Sequence, residues 1–166
     1  MVALSGSDGN DKNLTVSTLK MAEDVGYYIA KKGGVLICGG RGGVMRTAAR
    51  GAKRAKGLTI GILPDSGETA NEFIDIVIPT NLGVFRNYIL INSADAVIAV
   101  AGRWGTLNEI SLALNIGKPT VVLKGSGGWS DILSKRELLG YFENKPYVAE
   151  SPEEAVELAF NLIQGK

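Results

Sequence analysis

Short apolar runs and amphipathic stretches alternate along the chain. Val2–Leu4, Val35–Cys38, Leu58–Leu63, Asp95–Val100 and Thr120–Leu123 are apolar nearly throughout. Runs of that length without polar alternation are typical of strands buried on both faces, as in a parallel sheet. Ile74–Ile78 adds a further strand before Pro79. Between the runs, Leu14, Met21, Val25, Tyr28 and Ile29 recur at helical spacing within Leu14–Lys32, and Gly33-Gly34 stops that helix. Val44–Ala55, Phe85–Asn92 and Thr106–Asn115 read as further helices. Gly125–Gly128 reads as a loop. Ser151-Pro152-Glu153-Glu154 sets a capping serine, a first-turn proline and a glutamate in the order that opens a helix, which runs to about Gln164. Neither a linker nor an internal repeat interrupts the pattern, so a single domain over 1–166 is expected. Strict alternation of β and α predicts an α/β fold, a doubly wound parallel sheet with helices on both faces. Ligands of such folds bind beyond the carboxyl ends of the strands. Three glycine loops follow strands here, at Gly6-Ser7, Gly39–Gly43 and Gly102–Gly105, and they should converge on that edge.

Composition removes several kinds of chemistry. With 166 residues, 45% of them hydrophobic, the chain can bury a real core. Its net charge of +1 does not provide the basic surface expected of a nucleic-acid binder. No apolar run reaches the roughly 20 residues of a membrane span, and Met1–Ser7 has neither a basic nor a long apolar region, so no secretion signal is expected. Cys38 has no second cysteine to pair with, and the cytoplasm is the expected compartment. Histidine is absent, which excludes Ser-His-Asp and Cys-His catalysis. One cysteine and no histidine cannot make a usual zinc site, so no metal is expected. Chemistry falls to carboxylates, Arg, Lys, hydroxyls and backbone dipoles.

The loop Cys38-Gly39-Gly40-Arg41-Gly42-Gly43-Val44-Met45 leads straight into a helix. Glycines let backbone N–H groups approach an anion, and the helix dipole adds to the attraction. The spacing fits neither the dinucleotide fingerprint nor the P-loop; the same glycines would also serve a tight strand-to-helix turn. Charge favours the anion. From Val25 to Pro64 there is no acidic residue, against eight basic ones. Arg46, Arg50 and Arg54 follow at i, i+4 and i+8, where like charges repel, and Arg46 falls in the first helical turn, where a cation is disfavoured. A bound phosphate or a partner's carboxylate would relieve both costs. Arg41 and then Arg46 are the candidate anion contacts, with Arg50 and Arg54 read as a solvated face.

The second loop, Ala99–Ile110, contains Thr106-Leu107-Asn108-Glu109. Locally this is a capping box, with Thr106 as the cap and Glu109 bonded back to its N–H. It also lies at the expected ligand edge, where a carboxylate can stabilise an oxocarbenium-like ribose or orient water at C1′.

Gly102-Arg103-Trp104-Gly105-Thr106-Leu107-Asn108-Glu109 resembles the P-G-G-x-G-T-x-x-E signature of Lonely Guy (LOG)-type proteins of the SLOG superfamily, often labelled lysine decarboxylase-like. Cys38–Met45 resembles that family's G-G-G-x-x-G-x-M, with Cys38 at the first glycine, and Asp95–Ala99 matches the strand before the signature. The resemblance implies a Rossmann-like, doubly wound parallel sheet and a homodimer or higher homo-oligomer. It also implies hydrolysis of the N-glycosidic bond of nucleoside 5′-monophosphates to free base and ribose 5-phosphate, as in the cytokinin-activating phosphoribohydrolases. Arg86 and Glu109 match the catalytic pair. Ligand or phosphate contacts would come from Gly6, Ser7, Gly39, Gly40, Arg41, Gly42, Gly43, Met45, Asn87, Gly102, Arg103, Trp104, Gly105 and Thr106. An arginine beside Glu109 is expected to lower its pKa, which suits a base or cation stabiliser.

The chain departs from the pattern at Ala101-Gly102-Arg103, where the family has Pro-Gly-Gly, and at Arg86-Asn87, where it has Arg-Lys. Pro79–Asn87 resembles a side branch that includes the molybdenum-cofactor carrier proteins, which bind without cleaving. A second reading is therefore a non-catalytic carrier for molybdenum cofactor or another phosphorylated heterocycle, with Trp104 either stacking on it or packing. No cofactor is required on either reading. A nucleotide or molybdenum cofactor would be the bound ligand, and neither nucleic acid nor membrane is expected as a partner. Nothing in the chain suggests a pyridoxal-phosphate lysine.

Overall fold

The computed structural model describes residues 1–165, the side chains of Arg136 and Leu138 excepted. Among these residues, seven strands form one sheet: β1 (Val2–Gly6), β2 (Leu36–Cys38), β3 (Thr59–Leu63), β4 (Ile76–Pro79), β5 (Ala96–Val100), β6 (Thr120–Leu123) and β7 (Tyr147–Ala149). Their order is β4-β3-β2-β1-β5-β6-β7, and every neighbouring pair is parallel. Among the described residues, six α-helices intervene: α1 (Val16–Lys31), α2 (Gly43–Arg54), α3 (Arg86–Ser93), α4 (Trp104–Asn115), α5 (Gly128–Ser134) and α6 (Pro152–Gln164). This is a Rossmann-like α/β fold. Alternate residues of β1 feed opposite layers: Val2 and Leu4 pack with α1, α2 and α6, whereas Ala3 packs with α3 and α4. The chain leaves β1 towards β2 on one side and resumes at β5 on the other, so the order reverses between β1 and β5. The crevice above that reversal is the usual ligand site of such sheets.

Helices α1 and α2 approach to backbone contact. A Cβ on Gly26 would lie 1.9 Å from the Ala48 carbonyl oxygen, and one on Gly51 would lie 1.9 Å from that of Glu23. The same crossing settles the basic face. Arg50 and Arg54 both donate to the buried Glu23 carboxylate, each at 2.8 Å. Burial raises the Glu23 pKa, but the hydrogen bonds from Arg54 and Arg50 outweigh it and hold the group below its usual range. Arg46 forks onto Glu72 and lies over the Phe73 ring, and Lys53 pairs with Asp75. The arginine face is therefore neither solvated alone nor waiting for a phosphate or a partner. Its acids come from α1 and from the segment before β4, outside the acid-free window.

Two elements depart from the periodicity. β7 has three residues and hydrogen-bonds only to β6. α5 begins inside the expected Gly125–Gly128 loop, and tertiary hydrogen bonds hold its start: the Trp129 N–H to the Gly102 carbonyl, and the Ser130 N–H and hydroxyl to that of Ala101. β4 includes Pro79, which an edge strand tolerates. Among the described residues, no helix is long and apolar enough to cross a membrane.

Candidate functional site

The loops after β1, β2 and β5 converge with the starts of α3 and α4 on a cleft of about 220 Å³. Leu4, Gly6, Ser7, Asp8 and Asn10 line it from the β1 side, and Gly39, Arg41 and Met45 from the β2–α2 side. Arg86 and Asn87 enter from α3, and Arg103, Gly105, Thr106 and Glu109 from the β5–α4 side. Of the residues expected from the sequence, Gly40, Gly42, Gly43, Gly102 and Trp104 do not line it. Leu4, Asp8 and Asn10 do, and were not expected. The signal for the two polar ones is the glycine-flanked run Ser5–Asn10 directly after the first strand.

The start of α4 corrects the capping reading. The helix begins at Trp104, with Arg103 at the cap position and no side chain accepting from its first turn. Thr106 is thus the third helical residue, and Glu109 does not bond back to it. The cause lies upstream. Ala101 adopts a left-handed conformation (φ +56°) and Gly102 follows at φ +112°. This turn is pinned by the Ala101 N–H donating to Ser126 Oγ at 2.8 Å, and by the bonds from Trp129 and Ser130 to the two carbonyls. The Thr106 side chain occupies the space a Gly102 Cβ would need, 2.4 Å away. The first-turn N–H groups of α4 are left without intrahelical acceptors, at the positive end of the helix dipole. Trp104 points outward, 75% exposed, with its ring 5.3 Å from that of Trp129.

Glu109 is only 6% exposed and accepts the Ser5 hydroxyl across from β1. Burial raises its pKa. The Arg86 charge and the Ser5 hydrogen bond pull the other way and do not prevail, so the group titrates above the usual carboxylate range. The expectation of a lowered pKa is therefore corrected: desolvation outweighs the arginine. Arg86 acts on Glu109 through space, its own Nη1 donating to the Ile62 carbonyl at 3.0 Å. A Cβ at Gly39 would lie 2.4 Å from Arg86 Nη1 and 2.7 Å from Met45 Sδ, so the bare Gly39 makes room for the guanidinium. Cys38 beneath it is fully buried, and burial pushes its thiol up to about 11. Asn87 is held by its amide donating to Asn108 Oδ1 at 2.9 Å.

The glycine loop is occupied from within. The Gly42 N–H donates to Asp8 Oδ1 at 3.0 Å, and the Val44 N–H donates to the Ser7 carbonyl at 3.0 Å. Arg41 Nε lies 3.1 Å from both Asp8 Oδ2 and Glu68 Oε2. Gly43 (φ +57°) packs against the Ser7–Gly9 backbone, and Gly40 (φ +73°) packs against Gly61. Arg41 reaches the cleft already paired, and Arg46 does not reach it. Arg103, by contrast, donates to the neutral amide oxygen of Asn10. Ser7 Oγ is 3% exposed and meets no group at full hydrogen-bond geometry, although the hydroxyl is the main influence lowering the pKa of Asp11 nearby. Among the described residues, no group of three or more acidic, cysteine or histidine side chains could hold a metal ion.

A buried carboxylate, an arginine and an uncapped helix start are gathered in a small cleft at the reversal of the parallel sheet of a Rossmann-like protein. The SLOG cluster4 family model matches residues 1–156, and the chain belongs to that family. It is 33% identical over 96 residues to the cytokinin riboside 5′-monophosphate phosphoribohydrolase of Mycobacterium tuberculosis, covering 55% of this chain and 51% of that protein. The chain thus aligns with about half the length of that relative. Its structure is similar to that of the molybdenum cofactor binding protein of Rippkaea orientalis, with TM-score 0.86 and 40% identity over 98% of this chain and 96% of the other. It is also similar to the molybdenum cofactor carrier protein of Chlamydomonas reinhardtii, with TM-score 0.82 and 33% identity over 99% and 98%.

Proposed function

We propose that the chain binds a small phosphorylated heterocycle, of nucleotide or pterin type, with its phosphate on the first turn of α4. The observation that carries this reading is the uncapped start of α4 in the same cleft as the buried Ser7 hydroxyl, which no group meets at full hydrogen-bond geometry. Buried polar groups are normally paired, and an oxyanion would accept from Ser7 Oγ and from the Gly105 and Thr106 N–H groups together. Arg103 adds a cation at the opening. At about 220 Å³ the cleft is smaller than the roughly 300 Å³ of the smallest usual ligand pockets, so it suits a phosphorylated head with the rest of the molecule at the mouth. The carrier role is favoured by whole-length similarity to two molybdenum-cofactor-binding proteins. Molybdenum cofactor would then be cargo, and no further cofactor is required.

Phosphoribohydrolysis is the second reading, favoured by Glu109 in the cleft wall with Arg86 behind it. Water would add its oxygen at C1′ as the glycosidic electron pair leaves with the base, and the proton that the water loses would return to the Glu109 carboxylate after that group has protonated the base. A carboxyl with a raised pKa beside that bond can supply a proton to the leaving base. A second copy of the chain is proposed to cover the exposed Val84, Phe85 and Tyr88 next to the open β4 edge, giving a homodimer. The lone buried cysteine fits a reducing cytoplasm.

The test is a panel of nucleoside 5′-monophosphates, scored for free-base release and, in the same samples, for thermal shift, with Glu109→Gln alongside. Binding without release supports the carrier. Release lost in the variant supports the hydrolase. Neither binding nor release across the panel, with no shift by molybdenum cofactor, sinks the phosphorylated-heterocycle reading.

A further inference from the structure

Two helices of 12 residues start beside the same cleft, α2 lining it with Met45 and α4 with Gly105 and Thr106, and the chain treats their N-termini differently. At α2 the anion seat is filled by Asp8. Its Oδ1 accepts the N–H groups of Gly42 at 3.0 Å and Gly9 at 2.6 Å, and its Oδ2 meets Arg41 Nε at 3.1 Å. A Cβ on Gly42 would lie 3.0 Å from Asp8 Oδ1, so the bare glycine admits the carboxylate. Glu68 takes Arg41 from another side at 3.1 Å. One guanidinium thus faces two carboxylates, and the cluster carries a formal excess negative charge. At α4, among the described residues, no side chain accepts from the first turn; Ser7 Oγ is buried with no group at full hydrogen-bond geometry and Asp11 as its nearby acid, and Arg103 donates to the neutral amide of Asn10 while its charge also acts on Asp11. The α2 seat has its N–H groups taken by a carboxylate, whereas the first-turn N–H groups of α4 have no side-chain acceptor.

We propose that Asp8 is a specificity-determining residue that confines the ligand to a single phosphate. This rests on the phosphate-binding reading above and adds to it. A monophosphate ester satisfies the α4 seat. A contiguous second phosphate meets the Asp8–Arg41–Glu68 cluster, where the N–H groups are taken and the net charge repels it. Placing charge against the wrong ligand is an economical way to discriminate between ligands that share a head. The glycine loop, which locally resembles a phosphate cradle, instead holds this internal anion.

The experiment compares inorganic phosphate and pyrophosphate as probes, by calorimetric titration of the full-length protein, its Asp8→Asn variant and its Glu68→Gln variant. The side-chain oxygen in Asp8→Asn still accepts the Gly42 N–H, so the charge changes while the loop bond stays. The expected result is a pyrophosphate-to-phosphate affinity ratio that rises by about tenfold or more in Asp8→Asn, and by a smaller factor in Glu68→Gln. An unchanged ratio in both variants, with phosphate still binding, overturns the role of Asp8 and leaves the phosphate-binding reading standing. Phosphate binding to none of the three proteins overturns both. If Asp8→Asn does not fold, the half-exposed Glu68 decides: an unchanged ratio there counts against the proposal.

Discussion

Replacing Gly51 with alanine tests the close backbone approach at the crossing of α1 and α2. The new Cβ would stand 1.9 Å from the Glu23 carbonyl oxygen and 3.0 Å from the Tyr27 nitrogen. Non-bonded carbon contacts are comfortable near 3.5 Å, so the helices must part by roughly 1 Å or more. The obstacle is backbone and cannot rotate aside. Overpacking of this kind costs about 1–3 kcal/mol, and a backbone obstacle places this case at the upper end. Alanine returns up to about 1 kcal/mol of helix propensity over glycine. The expected net loss is about 1–2 kcal/mol. At about 2–4 °C per kcal/mol for a chain of this size, Tm falls by roughly 2–8 °C. Gly26→Ala should behave alike, since its Cβ would meet the Ala48 carbonyl at the same distance. Gly105→Ala is the control: a Cβ there meets nothing within 4 Å, so the same substitution should be neutral or slightly stabilising. The assay is thermal unfolding followed by far-UV circular dichroism. A Gly51→Ala protein as stable as the Gly105→Ala control would refute the steric argument.

Three further outcomes follow from the electrostatics and hydrogen bonding. Glu109 has a folded-state pKa above its unfolded value, so its contribution is fully favourable below the unfolded pKa and is lost as pH rises through the folded one. Glu109→Gln should therefore raise Tm at neutral pH, with the gain vanishing towards about pH 4; an equal gain at both ends of a pH series would contradict the sign. Glu23 is shifted the opposite way, so its stabilisation is present above the unfolded pKa and lost as pH falls through the folded one. Glu23→Gln should lower Tm at neutral pH and converge with the parent protein in acid, and the same pH series reads this out. Ser126→Ala removes the acceptor of the Ala101 N–H and should cost about 1–3 kcal/mol, the usual range for a stranded buried amide. Because the same turn sets the start of α4, phosphate affinity should fall with it; unfolding and phosphate titrations that both match the parent would show that the turn holds without that bond.

The sequence by itself determined the layering. Apolar runs such as Val35–Cys38 and Thr120–Leu123 have to be buried on both faces, and the helical repeat in Leu14–Lys32 has to lie against them. That pattern is local, so it can be read without coordinates. The glycine loops could be assigned to one edge for the same reason, and Arg86, Glu109, Ser7 and Thr106 do line a common cleft there. What those residues do depends on contacts between distant parts of the chain. Thr106 looks like a helix cap until Ser126, Trp129 and Ser130 hold the preceding turn and start the helix at Trp104. Arg50 and Arg54 look like a solvated stripe until Glu23 is brought across from α1. The direction of the Glu109 pKa could not be read either, because a neighbouring arginine can be inferred from a motif, whereas the degree of desolvation cannot. Gly39 and Gly42 were recognisable as glycines with a purpose, but only the packed molecule assigns one to the Arg86 guanidinium and the other to the Asp8 carboxylate. Periodicity and propensity act over a few residues and fix the elements. Charge pairing, burial and helix starts depend on which elements meet, and the tertiary structure decides that.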